Sequence, residues 1–100
     1  MPLRIIQEDY RNVPRILCDE CGDVIEKETE GNVEWRFDTS GDFAGAAVYF
    51  THKKCTHAFR AANPGHWCWM PIGCLLVYLR HDLQVDWKWA EHWARLSESL

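Results

Sequence analysis

Apolar residues alternate with charged ones in the first half of the chain and recur at helical spacing in the second half. Residues 33–37 (VEWRF) show the alternation that is typical of a half-buried strand. Residues 46–50 are apolar and predict a second strand. The segment 38–45 (DTSGDFAG) is rich in turn residues and predicts a loop between the two strands. We therefore expect a strand pair in this part of the chain.

Helical spacing starts after Thr51, which is a candidate N-cap residue. The tripeptide 63–65 (NPG) would end this first helix. One face of the helix would carry Cys55, Ala58, Phe59 and Ala62.

Two more helices are predicted near the C-terminus. Apolar residues at positions i, i+3, i+4, i+7 and i+11 indicate the first of them, and Pro71 is suited to its start: Ile72, Leu75, Leu76, Leu79 and Leu83. Asp86 is a candidate N-cap of the next helix. We expect its Trp89, Trp93 and Leu96 on a buried face, with the tryptophans against Leu76 and Leu79.

Short strands followed by helices predict an α+β fold. No repeat or low-complexity linker interrupts the 100 residues, so we expect one domain spanning residues 1–100. The composition is 47 % hydrophobic with six tryptophans, which excludes a disordered chain. A domain this small often needs a metal, disulfides or a partner subunit for stability.

Charge and cysteine content narrow the class of protein further. The net charge of −4 argues against a general nucleic-acid binder and against binding to anionic membranes. The longest run free of both charged residues and histidine, residues 67–79, has 13 residues, whereas a bilayer span needs about 20, so we expect it to be a buried segment. Five cysteines without a secretory signal at the start favour metal ligands and free thiols over disulfides. We expect a cytoplasmic protein with no membrane association.

Two pairs of soft ligands share the spacing of metal-binding sites: Cys18-x2-Cys21 and His52-x2-Cys55. Tetrahedral Zn²⁺ takes four such ligands, and each closely spaced pair holds one side of the ion. Gly22 suits the tight turn after the first pair. A helix starting near Thr51 would place the second pair on one face, with the Cys55 thiolate near the positive helix end. The sequence thus predicts one structural zinc ion, with His57 as the alternative to His52.

The order C-x2-C, strand pair, H-x2-C and helix resembles a treble-clef zinc finger and is similar to the first zinc-binding half of LIM domains. The resemblance covers about residues 16–62, and we expect about residues 66–98 to form the helical part of the same domain. The resemblance implies a closed structural zinc site, and it does not imply any enzymatic activity. The 30 residues between Cys21 and His52 exceed the usual LIM spacing, and no second four-ligand cluster follows closely.

The remaining soft ligands offer no second pair at such spacing: His57, His66, Cys68, Cys74 and His81. We expect Cys74 to be a buried thiol beside the leucine stripe, and residues 66–68 to lie in a turn-like segment.

Catalytic signatures are missing from the sequence, including H-E-x-x-H, a glycine-rich phosphate loop and G-x-S-x-G. Four protein ligands would also close the coordination sphere of the zinc. Treble-clef nucleases are the enzyme alternative, with His57 as the candidate catalytic residue, but no accompanying Asp-His or Asn pattern is present. We therefore expect no catalysis.

Nucleic-acid binding is the alternative function. The candidate contacts lie on or beside one short helix: Lys53, Lys54, His57 and Arg60. The segment 19–34, however, carries seven acidic residues against one lysine and would repel phosphates within a Debye length of about 10 Å. We therefore favour the simpler interpretation, in which these basic residues form the solvent-exposed face of the helix.

Protein–protein interaction is the favoured function, because five of the six tryptophans lie in residues 67–93. Tryptophan is enriched at interface hot spots, and we expect a domain this small not to bury all of them. Trp67 and Trp87 are the candidates for an exposed patch. The patch would bind a protein partner or a second copy of the chain, and these alternatives stay open.

Overall fold

The computed structural model describes residues 3–37 and 47–98, so the predicted loop 38–45 and Ala46 lie outside the described residues. The described part contains five strands, three α-helices and 3-10 turns at Glu28–Glu30 and Lys53–Cys55, which confirms the α+β prediction. The main elements, in chain order, are β1 (Leu3–Glu8), β2 (Arg11–Ile16), β3 (Gly31–Phe37), β4 (Val48–His52), α1 (Thr56–Ala62), β5 (His66–Pro71), α2 (Ile72–Asp82) and α3 (Trp87–Glu98).

The strands form two antiparallel sheets. β1 and β2 make a hairpin in which Leu3 lies opposite Ile16. β3 is the central strand of the second sheet, with β4 on one side and β5 on the other. Its register sets Gly31 opposite His52 and Asn32 opposite Pro71. The second predicted ligand pair therefore begins at the end of this sheet.

Three strands differ from the sequence-based expectation. β1 was not predicted from the sequence, and most of its apolar residues are exposed. β2 was not predicted either, and it ends shortly before Cys18. β5 occupies the segment expected to be turn-like, because its backbone pairs with β3 over six residues. The uncharged run 67–79 is thus two elements, separated at Pro71, rather than one buried segment.

The core of the described residues is small and lies between the cysteine-rich turn, the sheet and the start of α2. Its buried members are Cys18, Ile25, Val33 and Ile72. Gly31 allows this packing, because a Cβ atom there would lie 2.5 Å from Ile72 Cδ1 and 2.7 Å from Ile25 Cγ2. The buried Ile72 side chain packs the first turn of α2 against the sheet.

The first helix begins later than predicted. Thr51 is a buried residue of β4 rather than an N-cap, and its hydroxyl donates a 2.6 Å hydrogen bond to Glu34. The chain passes through a 3-10 turn before α1 begins at Thr56. Phe59 is buried as its position in the pattern implies, and its ring lies 5.5 Å from that of Tyr49. α1 ends at Ala62, directly before the predicted stop signal.

The two C-terminal helices lie where the sequence predicts them, but their apolar residues are exposed. Asp86 acts as the predicted N-cap of α3, since its carboxylate accepts a 3.1 Å hydrogen bond from the backbone of Trp89. The predicted burial of Trp89, Trp93 and Leu96 is wrong, because 64 %, 50 % and 44 % of their surfaces are exposed. Their expected neighbours on α2, Leu76 and Leu79, are also exposed. None of the helices in the described ranges has the length and apolar character needed to cross a membrane.

Candidate metal centre

The structure brings the two predicted ligand pairs together. One sulfur or ring-nitrogen atom from each of Cys18, Cys21, His52 and Cys55 lies within 4.8 Å of every other in the group. Such a group of three thiols and one imidazole can hold a metal ion. Cys18 and His52 are buried, Cys55 is half-buried and Cys21 is exposed, so the cluster lies at the edge of the core.

The first pair is set by a tight turn that closes on itself. Leu17 pairs with Val24 in an isolated antiparallel bridge, which brings the two ends of the turn together. The N–H of Gly22 donates to the Cys18 carbonyl at 2.9 Å, and Gly22 has a φ of +79°, a value that favours glycine. Gly22 therefore has the role in the tight turn that the sequence predicts.

A reciprocal pair of hydrogen bonds attaches this turn to β4. The Asp19 N–H donates to the Phe50 carbonyl at 2.7 Å, and the Phe50 N–H donates to the Asp19 carboxylate at 2.8 Å. The His52 N–H also donates to the Cys18 sulfur at 3.3 Å. These contacts hold the first pair of ligands against the strand that carries His52.

His52 has the geometry of an oriented metal ligand. Its Nε2 lies 3.1 Å from the Val24 carbonyl, which can only accept a hydrogen bond. Nε2 therefore carries the proton, and Nδ1, 3.3 Å from the Cys21 sulfur, presents its lone pair to the cluster. Carbonyl groups commonly orient metal-bound histidines in this way.

Cys55 reaches the cluster by a different local structure from the one predicted. His52 is the last residue of β4 and Cys55 is the last of the 3-10 turn, so the pair does not lie on one helix face. Cys55 directly precedes the first residue of α1, whereas the sequence pattern predicts it within the helix. The strand end and the turn together supply the second half of the site.

Burial and mutual repulsion shape the acidity of the thiols. Burial raises the pKa of Cys18, but hydrogen bonds from the backbone of Cys21, His52 and Glu20 and from the His52 side chain together outweigh it and lower the pKa to about 7. Burial, reinforced by the sulfurs of Cys18 and Cys21, raises the pKa of Cys55 to about 12. The predicted dipole effect on Cys55 is therefore outweighed. Three sulfurs and one ring nitrogen in so close a group are a donor set suited to a cation.

The other histidines and cysteines do not join the cluster. His57 is exposed on α1, outside the four-residue group, so the geometry favours His52 over His57. Cys74 is exposed on α2 rather than buried. Within residues 3–37 and 47–98, no second set of three or more such ligands converges.

An open groove of about 850 Å³ lies beside His52 and is lined by side chains of both charge signs. The lining includes Lys53 and Lys54 together with three acidic side chains: Asp23, Glu26 and Glu30. The two lysines therefore have acidic neighbours, as the sequence indicates.

Arg60, a candidate nucleic-acid contact, is engaged inside the protein. Its Nε donates to Glu34 Oε1 at 2.8 Å, and its Nη2 lies 2.7 Å from the same oxygen. Glu34 is completely buried and also accepts the Thr51 hydroxyl. The strand pattern predicts an outward-facing Glu34, so this ion pair was missed. Its two residues are 26 positions apart, and no local spacing signals the contact.

The two tryptophans proposed as a partner surface differ in environment. Trp67 is half-buried, with its ring 5.1 Å from that of Phe59, and its indole N–H donates to the Asn63 carbonyl at 2.8 Å. Trp87 is 51 % exposed, and the Arg80 guanidinium lies 5.5 Å from its ring centre. Of the two, Trp87 offers the more accessible surface.

Comparison with protein-family models, with curated proteins and with solved structures finds no match to this chain. The function of the protein is therefore inferred from the geometry of the site and its surroundings.

Proposed function

We propose that this protein is a zinc-stabilised, non-catalytic module that binds another protein chain through α2 and α3. One observation carries the proposal: large apolar side chains are exposed along both helices and the segment between them. They are Leu76, Val77, Tyr78, Leu79, Leu83, Trp87, Trp89, Trp93 and Leu96. Monomeric proteins seldom expose so large an apolar area unless it binds something.

Zinc is the metal that suits the donor set best. Three thiolates and one imidazole are a common structural zinc set, and Zn²⁺ accepts tetrahedral geometry without electronic preference. Because four protein ligands complete that geometry, the ion would have no position for a substrate. The turn 18–22, the strand pair and α1 follow the order of a treble-clef finger, which supports a structural role.

The helices have little internal support in the described part of the chain. Ile72 is the buried residue of α2 and α3 contacts β2, but α2 and α3 make few contacts with each other. Helices of 11 and 12 residues are marginal in water and depend on packing of an apolar face. A bound protein chain would supply that packing.

The charge distribution favours protein binding over the nucleic-acid alternative. Lys53 and Lys54 border a groove with acidic walls, and Arg60 is neutralised by Glu34. A phosphate backbone approaching the two lysines would meet acidic side chains in the same groove. The exposed helices, in contrast, carry the tryptophans that are enriched at protein interfaces.

Affinity purification from the source cells tests the proposal with a matched pair of tryptophan variants. Trp87→Ser removes an aromatic side chain from the helices, whereas Trp69→Ser removes one of similar exposure, 54 %, from β5. We expect a protein chain, identical or different, to be retained by wild type and Trp69→Ser and lost from Trp87→Ser. Equal retention in all three, with unchanged zinc content, would contradict the proposal.

A further inference from the structure

We infer that the chain bound to α2 and α3 is a second copy of this protein, in a two-fold symmetric dimer. The inference rests on the proposed function, because it takes the same helices as the interaction surface and names their occupant. The observations that carry it are the exposed apolar area, its distribution around α2 and the charge of the helices.

The exposed apolar area matches one side of a stable dimer. Trp87, Trp89 and Trp93 expose 51 %, 64 % and 50 % of their surfaces. At about 200 Å² for each fully exposed aromatic side chain, they contribute roughly 300 Å². Six further apolar side chains are each 42–69 % exposed and bring the area to the order of the ~800 Å² that each partner of a standard interface buries.

The distribution of this area around α2 favours an occupant made of helices. Leu76, Val77, Tyr78 and Leu79 are consecutive and all exposed, so apolar surface covers most of the helix circumference. A flat partner would cover one side of such a helix and leave the other in water. The α2 and α3 helices of two copies supply four helices, enough to surround the exposed residues as a four-helix arrangement.

The charges on the helices allow two copies to meet. Residues 72–98 carry three basic side chains and four acidic ones, so this part is nearly neutral, whereas the chain as a whole has a net charge of −4. In a two-fold dimer the same surface faces itself, and a strongly charged surface would repel its own copy. Alternating basic and acidic residues on α3, including Lys88, Glu91 and Arg95, permit opposite charges to meet across the axis.

Sedimentation equilibrium of the purified, zinc-loaded protein tests the dimer directly. We expect a mass twice the 11.8 kDa of the chain at micromolar concentration. Leu83→Glu, at a position 69 % exposed on the surface in question, should weaken the dimer at least about tenfold, because it places a charge in an apolar interface. Ile5→Glu is the matched control, since Ile5 is 68 % exposed but lies on β1, and it should leave the dimer intact.

Trp89→Ser is a second variant that changes no charge, and it should also shift the mass toward 11.8 kDa. Circular dichroism of each variant checks that helix content persists at a concentration where wild type is dimeric. A wild-type mass of 11.8 kDa up to high micromolar concentration would overturn the dimer. So would equal dissociation of Leu83→Glu and Ile5→Glu.

The affinity purification described above separates failure of the dimer from failure of the proposed function. If the purified protein is a monomer while cells supply a different chain that Trp87→Ser loses, the second copy is wrong and the interaction surface stands. If the protein is a dimer that Leu83→Glu and Trp89→Ser both leave intact, self-association uses another surface and the inference fails. If it is a monomer and Trp87→Ser loses no chain, both fail.

Discussion

The ring of His52 is fixed between the Val24 carbonyl, 3.1 Å from Nε2, and the Cys21 sulfur, 3.3 Å from Nδ1. This relationship joins the two ligand pairs, because Val24 ends the turn that carries Cys21 and His52 ends β4. It also distinguishes His52 from His57, which is exposed on α1. Both histidines are close to Cys55 in sequence, but the end of β4 places His52 in the ligand group.

Replacing His52 should therefore weaken metal binding, whereas replacing His57 should not. We expect His52→Ala to lower Zn²⁺ affinity by more than the tenfold to hundredfold (about 10–100) typical for loss of an outer-shell partner. His57→Ala, the control, should retain wild-type affinity. Competition with a chromophoric chelator measures both. Loss of affinity in His57→Ala with retention in His52→Ala would reverse the assignment.

Arg60→Ala should destabilise the protein even though the side chain is partly exposed. The substitution leaves the Glu34 carboxylate buried without its cation, which typically costs about 3 kcal/mol. The exposed Lys54→Ala should change the free energy of unfolding by no more than about 0.5 kcal/mol. Urea unfolding of the zinc-loaded proteins measures both values.

The double variant Glu34→Gln with Arg60→Ala separates loss of the ion pair from loss of packing. Removing the buried charge should restore part of the stability lost in Arg60→Ala. If the double variant is less stable than Arg60→Ala, the unpaired carboxylate is not the cause of the loss.

The hairpin β1–β2 should become less stable as the pH falls below 4.5. The Arg15 guanidinium donates hydrogen bonds to both Glu8 carboxylate oxygens, at 3.2 and 2.7 Å, and holds the pKa of Glu8 below its ordinary value of 4.5. Because the pKa is lower in the folded state, the pair contributes stability above pH 4.5 and loses it as the pH falls through the folded value.

NMR titration of the Glu8 side chain tests this assignment. We expect the Arg15→Gln variant to raise the pKa of Glu8 toward its ordinary value, since it removes the main hydrogen-bonding partner. Arg4→Gln is the control and should leave the titration unchanged, because Arg4 lies on the same strand as Glu8 but is not among the groups that shift its pKa. A Glu8 pKa that is the same in wild type and Arg15→Gln would rule out the ion pair in solution.

Local patterns in the sequence were enough to predict the α+β class, the C-terminal helices and the convergence of Cys18, Cys21, His52 and Cys55. Ligand spacing and helical periodicity are properties of neighbouring residues, so a single sequence carries them. The Asp86 N-cap was predictable for the same reason.

Features that depend on distant residues were not predictable. β5 forms because its backbone pairs with β3, which overrides the turn signals before it. Thr51 is a residue type that is favoured at N-cap positions, but its hydroxyl donates a hydrogen bond to buried Glu34. Helix α1 therefore begins at Thr56, five residues after Thr51. The exposure of Trp89 and Trp93 also escaped prediction, because an apolar helix face looks the same whether its own chain or another covers it.

The central claim is that Cys18, Cys21, His52 and Cys55 hold one structural zinc ion, and native mass spectrometry tests it most directly. We predict one Zn²⁺ per wild-type chain, and loss of both zinc and folded structure in Cys21→Ser, because metal binding and folding are coupled in such sites. Cys74→Ser, at an exposed cysteine on α2, should keep the ion and the fold. Full zinc occupancy with normal folding in Cys21→Ser would contradict the account.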